Sequence, residues 1–525
     1  KGKPMPYQAK TQAPIILNAF TMATVSHLNY GLWRHPRDQT HRYTSVKYWT
    51  DLARSVEQGG FDCLFIADAL GQIDVYGGSP EASLRHGIQS PLIDPLLLVS
   101  AMAAATEKLG FGVTLSTTYE HPYQAARKFS TLDHLTNGRI GWNVVTSQQE
   151  SAARNLGLTQ QVAHDKRYDV ADEFLEVTYK LWQASWEDGA VVHKKDLDGS
   201  IYTDPAKVHP VAHKGTYFTV PDGHVTEPSP QRVPVILQAG TSARGSDFAA
   251  RHAEVVFVVG AGADGVRSNV RRIREQAAKY GRKPENVKFI TAVAVVVAET
   301  DDAAQEKFKD YYHYYDPVGS IIHYSSMTGV DFSKTPRDSV IRYQKTEASQ
   351  SVLRQFDPTV SGREWTLDNA ANPEGNFGRA RTFVGSASTV ADQLEQWLDD
   401  TETDGINLIQ LLNPESFEDF GRLVVPELRK RGRIRESAGA TLRETLFPEN
   451  QTARQTQGRL PERGRVMTKL EQIPKKSPFD FSFQYLGLLL FMIGDGVEVG
   501  YLSPFLVRHG LTEHFVALVF TVYGL

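Results

Sequence analysis

The residues best suited to chemistry lie where apolar runs give way to polar ones. In Leu109–Thr146 an apolar run to Leu115 breaks into Ser116, Thr117 and Thr118, and a second run, Arg139–Val145, carries Asn143 and ends in Thr146 and Ser147. Further on, Val233–Gln238 leads into Ala239, Gly240, Thr241 and Ser242 ahead of a helical stretch, Ala243–His252. Small residues between a strand and a helix N-terminus leave backbone N–H groups and a hydroxyl open to an anion, which makes this a candidate phosphate cradle. Asp68 follows directly on the apolar run Asp62–Ala67, and His27 lies shortly beyond Ile15–Phe20. His164 and Tyr168 are four residues apart and share a face if the helix that follows already includes His164. Each has a plainer reading, because hydroxyls and aspartates cap turns and a lone histidine is more often structural.

The elements that must position these residues alternate along the chain. Ala126, Phe129, Leu132 and Leu135 form one apolar stripe on a helix over Tyr123–Leu135, and Asn137-Gly138 stops it. With strands on either side this is a βαβ unit, so consecutive strands run parallel and deliver polar ends to one edge, where ligands bind in α/β folds. Helices are expected over Ser45–Gln58, from Asp94-Pro95 to Thr106, over Arg167–Trp186, and near Val266–Tyr280, Asp301–Tyr315, Val390–Asp400 and Phe417–Arg431. Val255–Val259, Lys288–Ala298 and Ile406–Leu411 complete the strands, about eight in all. That number fits an α/β fold of the (β/α)8 TIM-barrel type. A doubly wound open sheet is the alternative, but no GxGxxG follows the first strand. Ala69–Ile93, Glu187–Pro230 and Asp316–Ser388 lack clean periodicity and are expected as insertions, the first covering a substrate.

Composition bounds the rest. Among 525 residues the formal net charge is −4 and the basic residues form no sustained cluster outside the tail, which argues against a nucleic-acid partner. The one cysteine, Cys63, excludes an internal disulfide and fits a reducing compartment. No signal peptide is visible, the expected localisation is cytoplasmic, and a start at Lys1 leaves the true N-terminus open.

Five motifs occur in order: Leu32–Pro36 (LWRHP), Ser116–Tyr123 (STTYEHPY), Trp142–Ser147 (WNVVTS), Arg167–Val177 (RYDVADEFLEV) and Gln238–Ser242 (QAGTS). Together they resemble the nitrilotriacetate, dibenzothiophene sulfone and long-chain alkane monooxygenases of the bacterial luciferase-like flavin monooxygenases, over roughly residues 15–447. The resemblance implies a TIM barrel that binds reduced FMN delivered by a separate NAD(P)H-dependent flavin reductase, uses O2, and inserts one oxygen atom into a small organic substrate. It implies a homodimer or higher homo-oligomer and no metal. Carried over by position, Asp68, Thr114, Asn143, His164, Tyr168, Gly240, Thr241 and Ser242 are the expected FMN contacts, with Tyr168 and Ser242 at the phosphate. His27 would face the reacting flavin and joins Gln89 and His323 as catalytic candidates. Gln89, Gln148, Ile73 and His323 fall in loops that vary with substrate. A non-catalytic flavin-binding barrel and a deazaflavin-dependent oxidoreductase of the same fold are the competing functions.

The tail departs from this pattern. The expected organisation is a barrel over 1–448, a polar linker over 449–466 and a hydrophobic segment over 467–525. Tyr485–Tyr501 resembles the first span of a major facilitator transporter, so any membrane association is expected through residues 485–525. Asp495 and Glu498 are costly in lipid, and the competing view is a hydrophobic hairpin packed on the barrel.

Overall fold

A computed structural model of the chain describes residues 13–448, apart from 195–198, 261, 345, 349–351, 354–355, 357, 359–363, 372–375, 378–379 and 437. The chain divides into two compact units, Lys1–Val466 and Met467–Leu525, and all that follows concerns the first. The expected linker and transporter-like segment lie outside the described residues. No helix among the described residues is long and apolar enough to cross a membrane.

Eight parallel strands close into a barrel: β1 (Ile16–Met22), β2 (Cys63–Ala67), β3 (Gly110–Ser116), β4 (Ile140–Val145), β5 (Val235–Gln238), β6 (Val255–Val258), β7 (Lys288–Val297) and β8 (Gly405–Ile409). Neighbours in sequence are neighbours in the sheet, and β8 closes the ring between β7 and β1, with Gly405 opposite both Ile290 and Ile16. Among the helices outside it are α1 (Val46–Gln58), α2 (Val99–Ala104), α3 (Pro122–Leu135), α4 (His164–Tyr179), α5 (Ala243–His252), α6 (Ala263–Lys279), α7 (Ala387–Thr401) and α8, which runs from Glu415–Asp419 through a π-turn to Val425–Lys430; a further helix, Asp301–His313, follows β7. This is the (β/α)8 architecture.

Alternation along the strands builds two cores. On β1, Leu17 and Ala19 join a cluster with Trp49 and Leu52 of α1, while Ile16 and Phe20 join Phe65 and Phe257 inside the barrel. The floor of the barrel is closed by a terminal helix, Leu442–Leu446, started by a capping box between Thr441 and Glu444. Leu442 reaches into the barrel so closely that a Cβ on Gly110 would lie 2.5 Å from its Cδ1. Beside it Arg443 meets Glu254 in a bidentate pair, both contacts 2.9 Å, with neither side chain more than 1% exposed.

The structure corrects several boundaries. Leu135, expected on the buried stripe of α3, is 59% exposed, because the stripe ends one turn earlier at Leu132. The helix expected from Arg167 begins at His164, and its last stretch, Lys180–Ala184, is a π-turn. The segment starting at Pro95 is a 3-10 turn, Pro95–Leu98, before α2. Ala69–Ile93 contains a short helix, Glu81–His86. Asp316–Ser388 holds the helices Pro317–Thr328 and Leu367–Ala371 and a ninth strand of the main sheet, Arg381–Gly385, which pairs with the protruding end of β7, while Glu187–Pro230 holds two small two-stranded sheets. Pro317–Thr328 was hard to read because it is buried nearly all round, which erases the one-sided pattern that marks a surface helix.

Candidate active site

The strand ends converge on a cavity of about 340 Å3 at the carboxyl edge of the barrel, and every catalytic or FMN-contact residue singled out in the sequence lines it. His27 comes from the loop after β1, Asp68 from the end of β2, Thr114 from β3 and Asn143 from β4. His164 and Tyr168 project from the first turn of α4, and Gly240, Thr241 and Ser242 from the turn between β5 and α5. Gln89 belongs to the β2 loop, and His323 to the insertion helix Pro317–Thr328. Gln148 also lines the cavity, whereas Ile73 is packed into the core under the β2 loop.

One end of the cavity is built for an anion. Ser242 caps α5, its Oγ accepting from the Gly245 N–H at 3.0 Å, so its own hydroxyl hydrogen is left to donate elsewhere. The hydroxyl of Tyr168 sits beside it, and burial raises the phenol's pKa, offset in part by the nearby Arg167 guanidinium and then by hydrogen bonds with Thr146 and Ser242. Gly240 is required between them: a Cβ there would lie 2.4 Å from Gln238 Nε2 and 2.6 Å from Tyr168 Oη. Backbone N–H groups at a helix start, two hydroxyls and the positive end of the helix dipole match a phosphate. The His164 and Tyr168 rings lie 5.4 Å apart, confirming that the two residues share a face of α4.

The other end is apolar, with polar atoms at fixed points. Phe20, Phe65 and Phe257 form an aromatic floor, their ring centroids 5.1–5.9 Å apart. The His27 ring stands edge-on to Phe20 at 4.7 Å, and burial lowers its pKa to about 3, so it is a neutral imidazole at physiological pH. His27 Nδ1, Asn143 Oδ1 and Gln238 Oε1 are buried and lack hydrogen-bond partners. Buried polar atoms without partners are costly, and these three belong to residues that line the cavity. Asp68 is pushed up to about 7, first by burial and then by the nearby Asp94 carboxylate, against a backbone hydrogen bond from Ala69.

Sequence reasoning missed the aromatic floor and the acceptor on Gln238. Strand phenylalanines in a barrel read like any core residue, and only the parity of inward positions once the sheet is closed marks them. Ser326, Met327 and Ala348 of the insertion also reach the cavity.

Fold and site together define a (β/α)8 barrel whose cavity carries hydroxyls and a helix N-terminus at one end and an aromatic floor at the other. Residues 29–404 match the family model described as luciferase-like monooxygenase, and the chain belongs to that family. It is 45% identical over 437 residues to a dimethyl-sulfide monooxygenase of Hyphomicrobium sulfonivorans, covering 83% of this chain and 91% of that one. It is 47% identical over 434 residues to a long-chain alkane monooxygenase of Geobacillus thermodenitrificans, covering 82% and 94%. Among solved structures, riboflavin lyase with modified FMN and riboflavin superposes with a TM-score of 0.78 at 36% identity, covering 84% and 98%. The activity of the chain is that of a monooxygenase.

Proposed function

We propose that the chain is an FMN-dependent monooxygenase that takes reduced FMN from a separate NAD(P)H-dependent flavin reductase and, with O2, oxygenates a small uncharged organic substrate. The observation that carries this reading is the division of one cavity into a phosphate cradle at Gly240–Ser242 and Tyr168 and an apolar end floored by Phe20, Phe65 and Phe257. Ser242 and Tyr168 hold the phosphate by donating their hydroxyl hydrogens, while Thr241 and the first N–H groups of α5 complete the cradle. His164 flanks Tyr168. Asn143, Gln238, Thr114 and Asp68 would hold the isoalloxazine. Bound there, reduced FMN supplies the electrons that activate O2.

The protein's own part is positioning and the exclusion of water. His27, neutral and edge-on to Phe20, offers a hydrogen bond at the reacting face, and Gln89 and His323 cover it from the β2 loop and the insertion. Met22, Leu28, Val259 and Met327 add to the apolar wall. An uncharged substrate of the alkane or dialkyl sulfide kind suits that wall, and it agrees with the names of the two relatives at 45% and 47% identity. A non-catalytic or deazaflavin-dependent role is not favoured, since both of those relatives are monooxygenases.

Anaerobic titration with photoreduced FMN, followed by flavin fluorescence, tests the cofactor assignment. One FMN bound per chain, weakened at least tenfold by Gly240→Ala with the fold retained, is the expected result. No binding of reduced FMN, or equal binding by Gly240→Ala, would count against it.

A further inference from the structure

The structure assigns to Tyr30 the role of a positioning residue that holds the His323 imidazole in one orientation and one tautomer at the cavity. This rests on the monooxygenase reading above, in which His323 faces the substrate.

Tyr30 lies beyond β1, outside the cavity lining, and is 1% exposed. Its Oη is 2.6 Å from His323 Nδ1, and the two rings meet edge to face at 5.7 Å. On the other side of the imidazole, Gln89 Nε2 lies 3.2 Å from His323 Nε2. An amide nitrogen only donates, so Nε2 accepts from Gln89, the neutral ring carries its proton on Nδ1, and that proton is donated to Tyr30 Oη. The imidazole is thus pinned at both nitrogens by residues of two different barrel loops.

The backbone around this contact is built to keep it. Gly319, one helical turn before His323, lets the insertion helix lie directly on the β1 and β2 loops: a Cβ there would be 2.8 Å from Ile88 Cδ1 and 3.3 Å from Tyr30 Cβ. The Asp316 N–H donates to the Tyr30 carbonyl at 3.0 Å, and His86 Nδ1 pairs with Asp316 Oδ2 at 2.6 Å. Gln89 is tied to the His27 loop, its N–H donating to the Ser26 carbonyl at 3.0 Å, and holds a φ of +49° that a non-glycine residue seldom adopts. Three segments far apart in sequence therefore converge on one imidazole. A side chain needed only to fill space at Tyr30 would not require a hydroxyl, and Tyr30→Phe separates the two functions.

The test uses the full chain with FMN, a flavin reductase and a dialkyl sulfide or an n-alkane as substrate. Tyr30→Phe, His323→Ala and the double variant are compared for kcat, KM and anaerobic FMN affinity, and the histidine side chains are observed by 15N NMR, with the His323→Ala spectrum identifying the signal. The expected result is a kcat at least tenfold lower in Tyr30→Phe with FMN affinity within twofold, and no further loss when it is added to His323→Ala. In the unaltered protein the His323 signal belongs to a single tautomer protonated on Nδ1, and in Tyr30→Phe it is an average. An unchanged kcat in Tyr30→Phe, an additive loss in the double variant, or an averaged tautomer in the unaltered protein overturns the assignment. Failure of the unaltered protein to form any product would instead overturn the monooxygenase reading, and the NMR comparison does not depend on it.

Discussion

Asn143 donates its side-chain N–H to Thr114 Oγ1 at 2.8 Å across the β3–β4 ladder, where the two residues stand in register. Thr114 in turn donates to the Ile66 carbonyl at 2.9 Å, which fixes the amide and leaves Asn143 Oδ1 buried without a partner. The protein carries that cost until a ligand N–H arrives. Asn143→Leu removes the orphan and should leave thermal stability of the ligand-free protein unchanged or raised. It should weaken reduced FMN binding by about 1–3 kcal/mol, or about 5- to 150-fold. Scanning calorimetry and anaerobic titration on one preparation check both halves, and a loss of stability with intact affinity would refute the account.

Ser242→Ala removes a helix cap and, on the proposed function, a phosphate donor at once. The cap alone is worth about 1 kcal/mol, because the Gly245 N–H loses its acceptor. The phosphate contact should cost a further 1.5–3 kcal/mol or so in FMN affinity. Ser242→Gly spares most of the cap energy. It should therefore match the alanine variant in lost affinity while unfolding at a higher temperature. Equal FMN affinity in all three proteins would remove Ser242 from the phosphate site.

Asp68 makes stability depend on pH in a predictable direction. Its folded pKa of about 7 lies above the ordinary value of 3.8, so the folded state holds the proton more tightly. The contribution is fully present below 3.8 and is lost as pH rises through 7. Asp68→Asn, which cannot ionise, should match the unaltered protein in urea midpoint near pH 4 and exceed it at pH 8 by about 1–3 kcal/mol. A midpoint difference that is the same at both pH values would show that burial of this carboxyl does not matter.

The floor of the barrel sets where the chain can be shortened. Removing everything after Arg465 keeps Leu442 and the Arg443–Glu254 pair, and should leave a soluble, active enzyme. Arg443→Met strands a fully buried carboxylate and should cost about 3–5 kcal/mol. Chemical denaturation of both proteins measures this. An inactive or insoluble Lys1–Arg465 protein, alongside an active full chain, would show that the tail belongs to the fold.

His27→Ala should keep FMN binding yet release hydrogen peroxide in place of product. The imidazole is neutral and its Nδ1 is free, so its contribution is a hydrogen bond at the reacting face and not a charge. Measuring O2 uptake, peroxide and product together decides the matter. Normal product per O2 would end the proposal, and a joint loss of stability and affinity would make His27 a brace for its loop.

Much of this was legible in the sequence because a barrel writes its plan locally. Each strand ends where apolar residues stop, and the polar endings, at Asp68, Ser116, Thr146 and Ser242, reach the same rim once the strands run parallel, whereas Thr114 and Asn143, inside their strands, were marked by the resemblance. What stayed hidden depends on closure. Gln238 and the three phenylalanines acquire a role only when β1, β2, β5 and β6 face one another across the interior. Tyr30 was invisible because its partner His323 is 293 residues away. The ninth strand, Arg381–Gly385, pairs only with the overhanging end of β7 and has no repeat to announce it.

On the proposed function, an oxygen atom from O2 enters the substrate in the cavity at the carboxyl ends of β1–β6. The most direct measurement supplies reduced FMN, 18O2 and either a dialkyl sulfide or an n-alkane, with mass spectrometry of the product. One 18O atom per product molecule is expected, with product formation falling in Gly240→Ala in step with its weakened FMN binding. Product oxygen drawn from water, or hydrogen peroxide as the sole fate of O2 across both substrate classes, would contradict it.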